Sequence, residues 1–131
     1  HNAETLLFHP NTGEIYIVTK HETKPAEVFK VGANTEKISD FTVPAIPYGF
    51  LTGGEISPDG KRIIICDYVA SYEIKLPENE KNFDEIWKQT PNRVELGERK
   101  QGESICYSAD GKSIYAGSEK KNSPMIRVDR K

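Results

Sequence analysis

Short apolar runs alternate with tight polar turns along this chain, and one arrangement recurs three times. The copies are Glu4–Val18, Gly54–Ile65 and Glu103–Ala116. Each is an apolar run, a polar turn ending in Gly, and a second apolar run. The turns Ser57-Pro58-Asp59-Gly60 and Ser108-Ala109-Asp110-Gly111 end in Asp-Gly, which supplies the positive φ of a tight hairpin. His9-Pro10-Asn11-Thr12-Gly13 is the same device one residue longer. Pro10 and Pro58 pre-set φ at the start of their turns.

β-rich runs follow the turns at Ile15–Val18, Ile63–Ile65 and Ile114–Ala116. Third strands are predicted at Glu27–Val31, Ser71–Leu76 and Met125–Val128, and fourth strands at Lys37–Thr42 and Arg93–Leu96. His9 to Ser57 is 48 residues and Ser57 to Ser108 is 51. Four antiparallel strands at a period near fifty describe a propeller blade. The expectation is an all-β fold with blades at 1–47, 48–98 and 99–131, the last stopping after its third strand.

Two segments break the pattern. Residues 43–53 carry two prolines and two glycines with flanking apolar Ile46, Tyr48, Phe50 and Leu51. They read as a connector packed down on the blades, with an aromatic ligand-facing lip as the alternative. Residues 77–92 form a polar loop and a short helix through Phe83, Ile86 and Trp87, capped by Asn82 or Asp84 and ended at Thr90-Pro91. Such a helix covers a blade edge or serves as a partner surface.

The Ser-Pro-Asp-Gly-Lys-Arg-Ile stretch at 57–63 resembles the blade signature of bacterial β-propellers of the TolB-like and WD-repeat-like kind. Glu4–Phe8, Thr52–Gly60 and Gln101–Ile105 are similar to a large group of secreted bacterial propellers. The resemblance implies a periplasmic or extracellular setting. It does not imply one activity, since propellers host lactonases, dehydrogenases, hydrolases and pure binding scaffolds.

Size changes the picture. At 131 residues the chain holds about three blades, whereas closed propellers have about four to eight. Three stacked blades leave two sheet faces open to water. The chain is then either a piece of a longer propeller or a half-propeller that pairs with a second copy into a six-bladed ring. Formal net charge is −2 with no basic stripe, which argues against nucleic acid as a partner. No apolar stretch is long enough for a membrane helix. Cys66 and Cys106 sit in strands of neighbouring copies and read as small buried core residues. A bridge between them would need their Cα atoms within about 7 Å.

Aligning the copies on their turns puts Glu4, Thr52 and Glu103 at one level near the channel. Loops between second and third strands add Lys20, His21 and Glu22, then Asp67 and Tyr68, then Glu119, Lys120 and Lys121. Glu4 and Glu103 are candidate Ca²⁺ ligands, or a proton donor and acceptor pair. The resemblance to lactonase-type propellers, where a ring of acids and Asn holds a cation, is partial. Thr52 is neutral and no Asn stands at that level. The alternative is that inner-strand acids accept backbone N–H bonds from the adjacent blade or line a wet channel. Glu55, after Gly53-Gly54, marks a bulge or a close backbone approach. His9 reads as a turn-capping acceptor. No nucleophile elbow, phosphate loop or His-Glu-x-x-His is present. The readings left standing are a binding or scaffold propeller for a small-molecule or protein ligand, a metal-dependent hydrolase, and a structural half of something larger.

Overall fold

The computed structural model describes residues 2–41 and 50–131. Three antiparallel sheets follow one another along the chain. Sheet one holds β1 (Ala3–Phe8), β2 (Ile15–Thr19), β3 (Ala26–Val31) and β4 (Glu36–Phe41) in order. Sheet two holds β5 (Gly53–Ile56), β6 (Arg62–Cys66), β7 (Ser71–Lys75) and β8 (Asn92–Arg93). Sheet three holds β9 (Gly102–Tyr107), β10 (Ser113–Ser118) and β11 (Ile126–Asp129). The fourth strand of sheet two is shorter than its sequence suggests. Backbone pairing to β7 spans Asn92 and Arg93 only, although Val94 still donates its N–H to Ser71 at 2.8 Å.

The hairpin turns form as their sequences require. Gly13, Gly60 and Gly111 have φ of 75°, 69° and 69°, in the left-handed region. Gly60 and Gly111 each donate to the carbonyl of the turn serine three residues earlier, at 2.8 Å. Ser57 and Ser108 bond the carboxylates of Asp59 and Asp110 and accept the backbone N–H of Arg62 and Ser113. His9 takes the serine's place. Its Nδ1 accepts the N–H of Asn11 and Thr12 at 3.3 and 3.2 Å. With that nitrogen accepting, Nε2 carries the proton and donates to Gly60 O at 3.1 Å, tying the first turn to the second.

The sheets stack face to face. Cross-strand partners share a face, so the register sorts the side chains. Toward the next sheet, a leading face carries Leu7–Tyr16–Lys30 and Thr5–Val18–Val28 in sheet one. In sheet two it carries Glu55–Ile64–Glu73 and Gly53–Cys66–Ser71. The opposite, trailing face carries Ile56–Ile63–Ile74 and Gly54–Ile65–Tyr72 in sheet two. In sheet three it carries Tyr107–Ile114–Val128 and Ile105–Ala116–Ile126. Leading faces meet trailing faces, giving one apolar core between sheets one and two and a second between sheets two and three. Gly53 and Gly54 permit this approach. A Cβ at Gly53 would lie 2.9 Å from Glu103 O of sheet three, and one at Gly54 3.3 Å from Thr5 Cγ2 of sheet one. The pair marks close backbone contact, since β5 pairs with β6 without a register shift.

The insertion is a 3-10 helix, Phe83–Lys88, capped by Asn82, whose side chain accepts the N–H of Asp84. It packs against β4, the outer strand of sheet one, and against β7 of its own sheet. Phe83, Ile86 and Trp87 are buried and enter the core shared with sheet one. Trp87 packs on Tyr16 and Phe41 with ring centroids 6.1 and 5.5 Å away. Asp84 accepts from Tyr16 Oη at 2.7 Å and pairs with Lys30 at 3.0 Å. Both cysteines are free: Cys66 is buried as expected, but Cys106 is only half-buried, because it sits on the leading face of sheet three, which no other sheet among the described residues covers. Ile46 and Tyr48 of the connector lie outside the described residues. Leu51 is fully buried, and Phe50 packs against Tyr68 at 4.8 Å between ring centroids. Among the described residues, no helix is long and apolar enough to cross a membrane.

Candidate functional site

The inner strands β1, β5 and β9 lie side by side, so one end of the stack gathers the starts of these strands and the loops after β2, β6 and β10. Lys20 is the centre of that rim. It follows β2 directly, and its side chain is 8% exposed. Its Nζ donates to Glu4 Oε2 at 2.8 Å and to Tyr68 Oη at 2.9 Å. The same ammonium lies 4.7 Å from the ring centroids of Phe50 and Tyr68. Burial alone would lower the Lys20 pKa, but the bonds to Glu4 and Tyr68 outweigh it and push the pKa up. A charged clamp thus joins sheet one to the sheet-two loop.

Glu103 stands beside this clamp with no ion pair of its own among the described residues. Burial pushes its carboxyl pKa up, the charges of Glu4 and Glu119 push it further, and Lys20 offsets part of the rise. The raised folded-state pKa means that ionised Glu103 opposes folding above that pKa, and that the penalty disappears as pH falls through it. Glu103→Gln is therefore expected to raise the melting temperature at pH 7, with the gain shrinking to nothing below the carboxylate range. A thermal melt series across pH would refute the assignment if the gain were flat with pH.

The other residues at this level are placed differently. Thr52 is buried; its Oγ1 donates to Gly102 O at 2.7 Å and so staples sheet two to sheet three. Asp67 is fully buried; its Oδ1 accepts the N–H of Val69 and Ala70 at 2.8 and 2.7 Å, closing the turn after β6. Asp67 Oδ2 has no hydrogen-bond partner among the described residues. His21 lies away from the clamp, with Nε2 3.2 Å from Glu27 Oε2. Lys24, with His21 and Lys37, holds the Glu27 carboxyl down to about 2. Glu55 accepts the backbone N–H of Tyr107 at 2.6 Å, so it is the inner-strand acid that serves the adjacent sheet.

Glu4 and Glu103 are brought together, with Glu119 near Glu103. Among the described residues no three His, Cys, Asp or Glu side chains are grouped closely enough to hold a metal ion. A divalent cation shared by Glu4 and Glu103 would have to compete with the Lys20 ammonium for Glu4.

Two residues at the sheet junctions carry no sequence signal. Arg99 is buried, donates Nη2 to Ala70 O at 2.9 Å, and lies across Gly102. A Cβ there would be 2.5 Å from Arg99 Nη1. Glu73, mid-strand in β7, bonds Tyr107 Oη at 2.9 Å and Arg130 Nε at 3.0 Å from sheet three.

No protein-family model and no curated protein matches the chain. Solved structures do. It is similar to Kuenenia stuttgartiensis hydrazine synthase at 16% identity and TM-score 0.67, covering 97% of this chain and 34% of that one. It is similar to a PQQ-bound aldose sugar dehydrogenase from Streptomyces coelicolor at 8% identity and TM-score 0.65, covering 98% and 43%. It is similar to TolB from Acinetobacter baumannii at 19% identity and TM-score 0.61, covering 95% and 29%. The chain spans well under half the length of each. At these identities the likeness is one of fold, and together with the three stacked antiparallel sheets it shows a β-propeller repeat protein.

Proposed function

We propose that the chain is a β-propeller binding and scaffold module that works through sheet surfaces and completes its stack by association with a further blade. One observation carries this reading. The trailing face of sheet one carries Phe8–Ile15–Val31 and Leu6–Ile17–Phe29, and on it Leu6, Phe8 and Val31 are 67%, 59% and 37% exposed. The matching faces of sheets two and three are buried by the sheets before them. Three exposed large apolar side chains grouped on one sheet face, beside the half-buried Ile15 and Ile17, exceed the scattered apolar exposure of an ordinary surface.

The rim chemistry supports binding over catalysis. Glu4 is engaged by Lys20, Asp67 by backbone N–H groups, and Glu55 by Tyr107. A setting outside the cytoplasm belongs to the same reading and rests on the resemblance to secreted propellers.

Ile17→Asp tests the proposal. If a further blade covers the face, this substitution releases the partner and lowers the mass in light scattering. If the face is open in solution, the wild type binds a hydrophobic dye and the variant does not. A wild-type monomer that takes up no dye, with Ile17→Asp unchanged in both assays, would sink the reading.

A further inference from the structure

The inner strands carry a second feature at the end opposite the Lys20 rim. There the first hairpin turns of the three sheets come together, because β1, β5 and β9 lie side by side. The second residue of each turn, Pro10, Pro58 and Ala109, borders one groove of about 490 Å³. Leu6 and Phe8 of β1 line it on the sheet-one side, and Ile56 of β5 lines its middle. A volume of this size suits a small molecule.

Among the described residues that line the groove, Glu55 alone is charged. It stands two residues before its turn serine, where the other copies have Leu7 and Cys106, so the carboxylate departs from the repeat. Its Oε2 accepts the Tyr107 N–H at 2.6 Å, which fixes the head group against sheet three. Its other oxygen makes no hydrogen bond, and the carboxylate makes no ion pair, among the described residues. The other polar side chains of the lining are committed elsewhere. Tyr107 Oη donates to Glu73 at 2.9 Å, and Ser108 Oγ bonds Asp110 at 2.6 Å. Arg62, beside the Tyr107 ring, faces Asp59 and Glu73. A half-buried carboxylate with an unused oxygen in an apolar groove is complemented by a cation that brings apolar surface with it. We propose that this groove binds a small organic cation, an ammonium carried on an aromatic or aliphatic body. The ammonium pairs with Glu55, and the body packs among Phe8, Pro58 and Ala109. The tie to Tyr107 orders the carboxylate beforehand, so little side-chain freedom is lost on binding. This site goes beyond the scaffold reading and does not rest on how the stack is completed.

Amide NMR titration of the intact chain with phenethylammonium and with its neutral counterpart phenethyl alcohol is the test. The two probes share one apolar body, and only the first carries the charge. The ammonium is expected to bind about 10- to 100-fold tighter, as a hydrogen bond to a charged group contributes, with shifts at Glu55, Ser108 and Ala109. Glu55→Gln keeps an acceptor for the Tyr107 N–H and should erase the preference, leaving the two probes equal. Ala109→Trp, at an exposed turn position, should fill the groove and weaken both. If Glu55→Gln fails to fold, the wild-type contrast between the probes and the Ala109→Trp variant decide. Equal wild-type affinities overturn the proposal, and so does binding of neither probe. A preference that survives Glu55→Gln, or shifts confined to the Lys20 rim, also overturns it. Neither variant touches Ile17, so failure of the amine site and failure of the scaffold reading are read independently.

Discussion

Trp87→Ala is expected to cost about 3–5 kcal/mol of stability, as deletion of a buried large aromatic does. Trp87 is 5% exposed, although the turn that carries it is only a 3-10 helix in a loop. Its ring fills the space between sheet two and sheet one, against Tyr16 and Phe41. Nothing nearby can collapse into the void, because Tyr16 is held by its bond to Asp84 and Phe41 ends β4. For a domain of this size the loss corresponds to a melting temperature lower by on the order of 10–20 °C. Trp87→Phe should be much milder, since it keeps most of the ring. It also removes an indole N–H that has no hydrogen-bond partner among the described residues. Lys88→Ala, one residue on and 68% exposed at its side chain, should change stability by less than about 0.5 kcal/mol. Denaturant titration reads all three. A Trp87→Ala cost below about 1 kcal/mol would mean that the insertion does not join the two sheets.

These contrasts show where the sequence was informative and where it stopped. The hairpins were legible because their signal is local. Asp-Gly at fixed offsets between β-branched runs specifies a turn whatever lies around it, and the Gly60 and Gly111 dihedrals follow. The repeat then gave the sheets and their order, since a fixed period is a property of the whole chain. The helix at residues 83–88 was legible from Phe83, Ile86 and Trp87, but its place was not. An apolar stripe says that something is covered without saying by what, and here the partner is sheet one, some seventy residues earlier. The rim was half legible. Counting from the turns brought Glu4 and Glu103 to one level, and the Glu103 pKa, raised first by burial, is raised further by the Glu4 charge. The count could not say which residue is turned into a junction. Thr52 sits at the same level and is consumed by Gly102 O, while Lys20 takes the centre because its stem reaches Tyr68 across sheets. Glu73 had no signal at all. A lone acid in an apolar strand looks like a solvent-facing residue until the neighbouring sheet is in place.

That acid carries the other large effect. Glu73 lies on the leading face of sheet two with its side chain 9% exposed, where Tyr107, Arg130, Arg62 and, at 3.9 Å, Lys75 converge on its carboxylate. Tyr107 Oη donates at 2.9 Å, Arg130 Nε lies at 3.0 Å and Nη2 at 3.1 Å, and Arg62 Nη1 lies at 3.6 Å. Arg62 also sits 5.2 Å from the Tyr107 ring centroid. Burial pushes the Tyr107 pKa up, and the Glu73 charge and bond add to it, so the phenol stays a donor at any pH of interest. Glu73→Ala takes the carboxylate from Arg130 and leaves Arg62 with Asp59, 3.4 Å away, as its acid. Breaking one partner of a buried charged network costs about 3–5 kcal/mol. Tyr107→Phe removes one bond and keeps the ring, so it should cost about 1 kcal/mol. In a double-mutant cycle, Arg130→Ala should couple to Glu73→Ala by more than about 1 kcal/mol, because the two groups touch. The coupling should survive added salt better than that of the exposed pair Arg93–Glu95, whose side chains are 55% and 77% exposed. Zero coupling would show that sheet three is held by Ile105, Ile114 and Val128 alone. Strong coupling would make Glu73 the group that fixes the angle at which the third sheet leaves the stack.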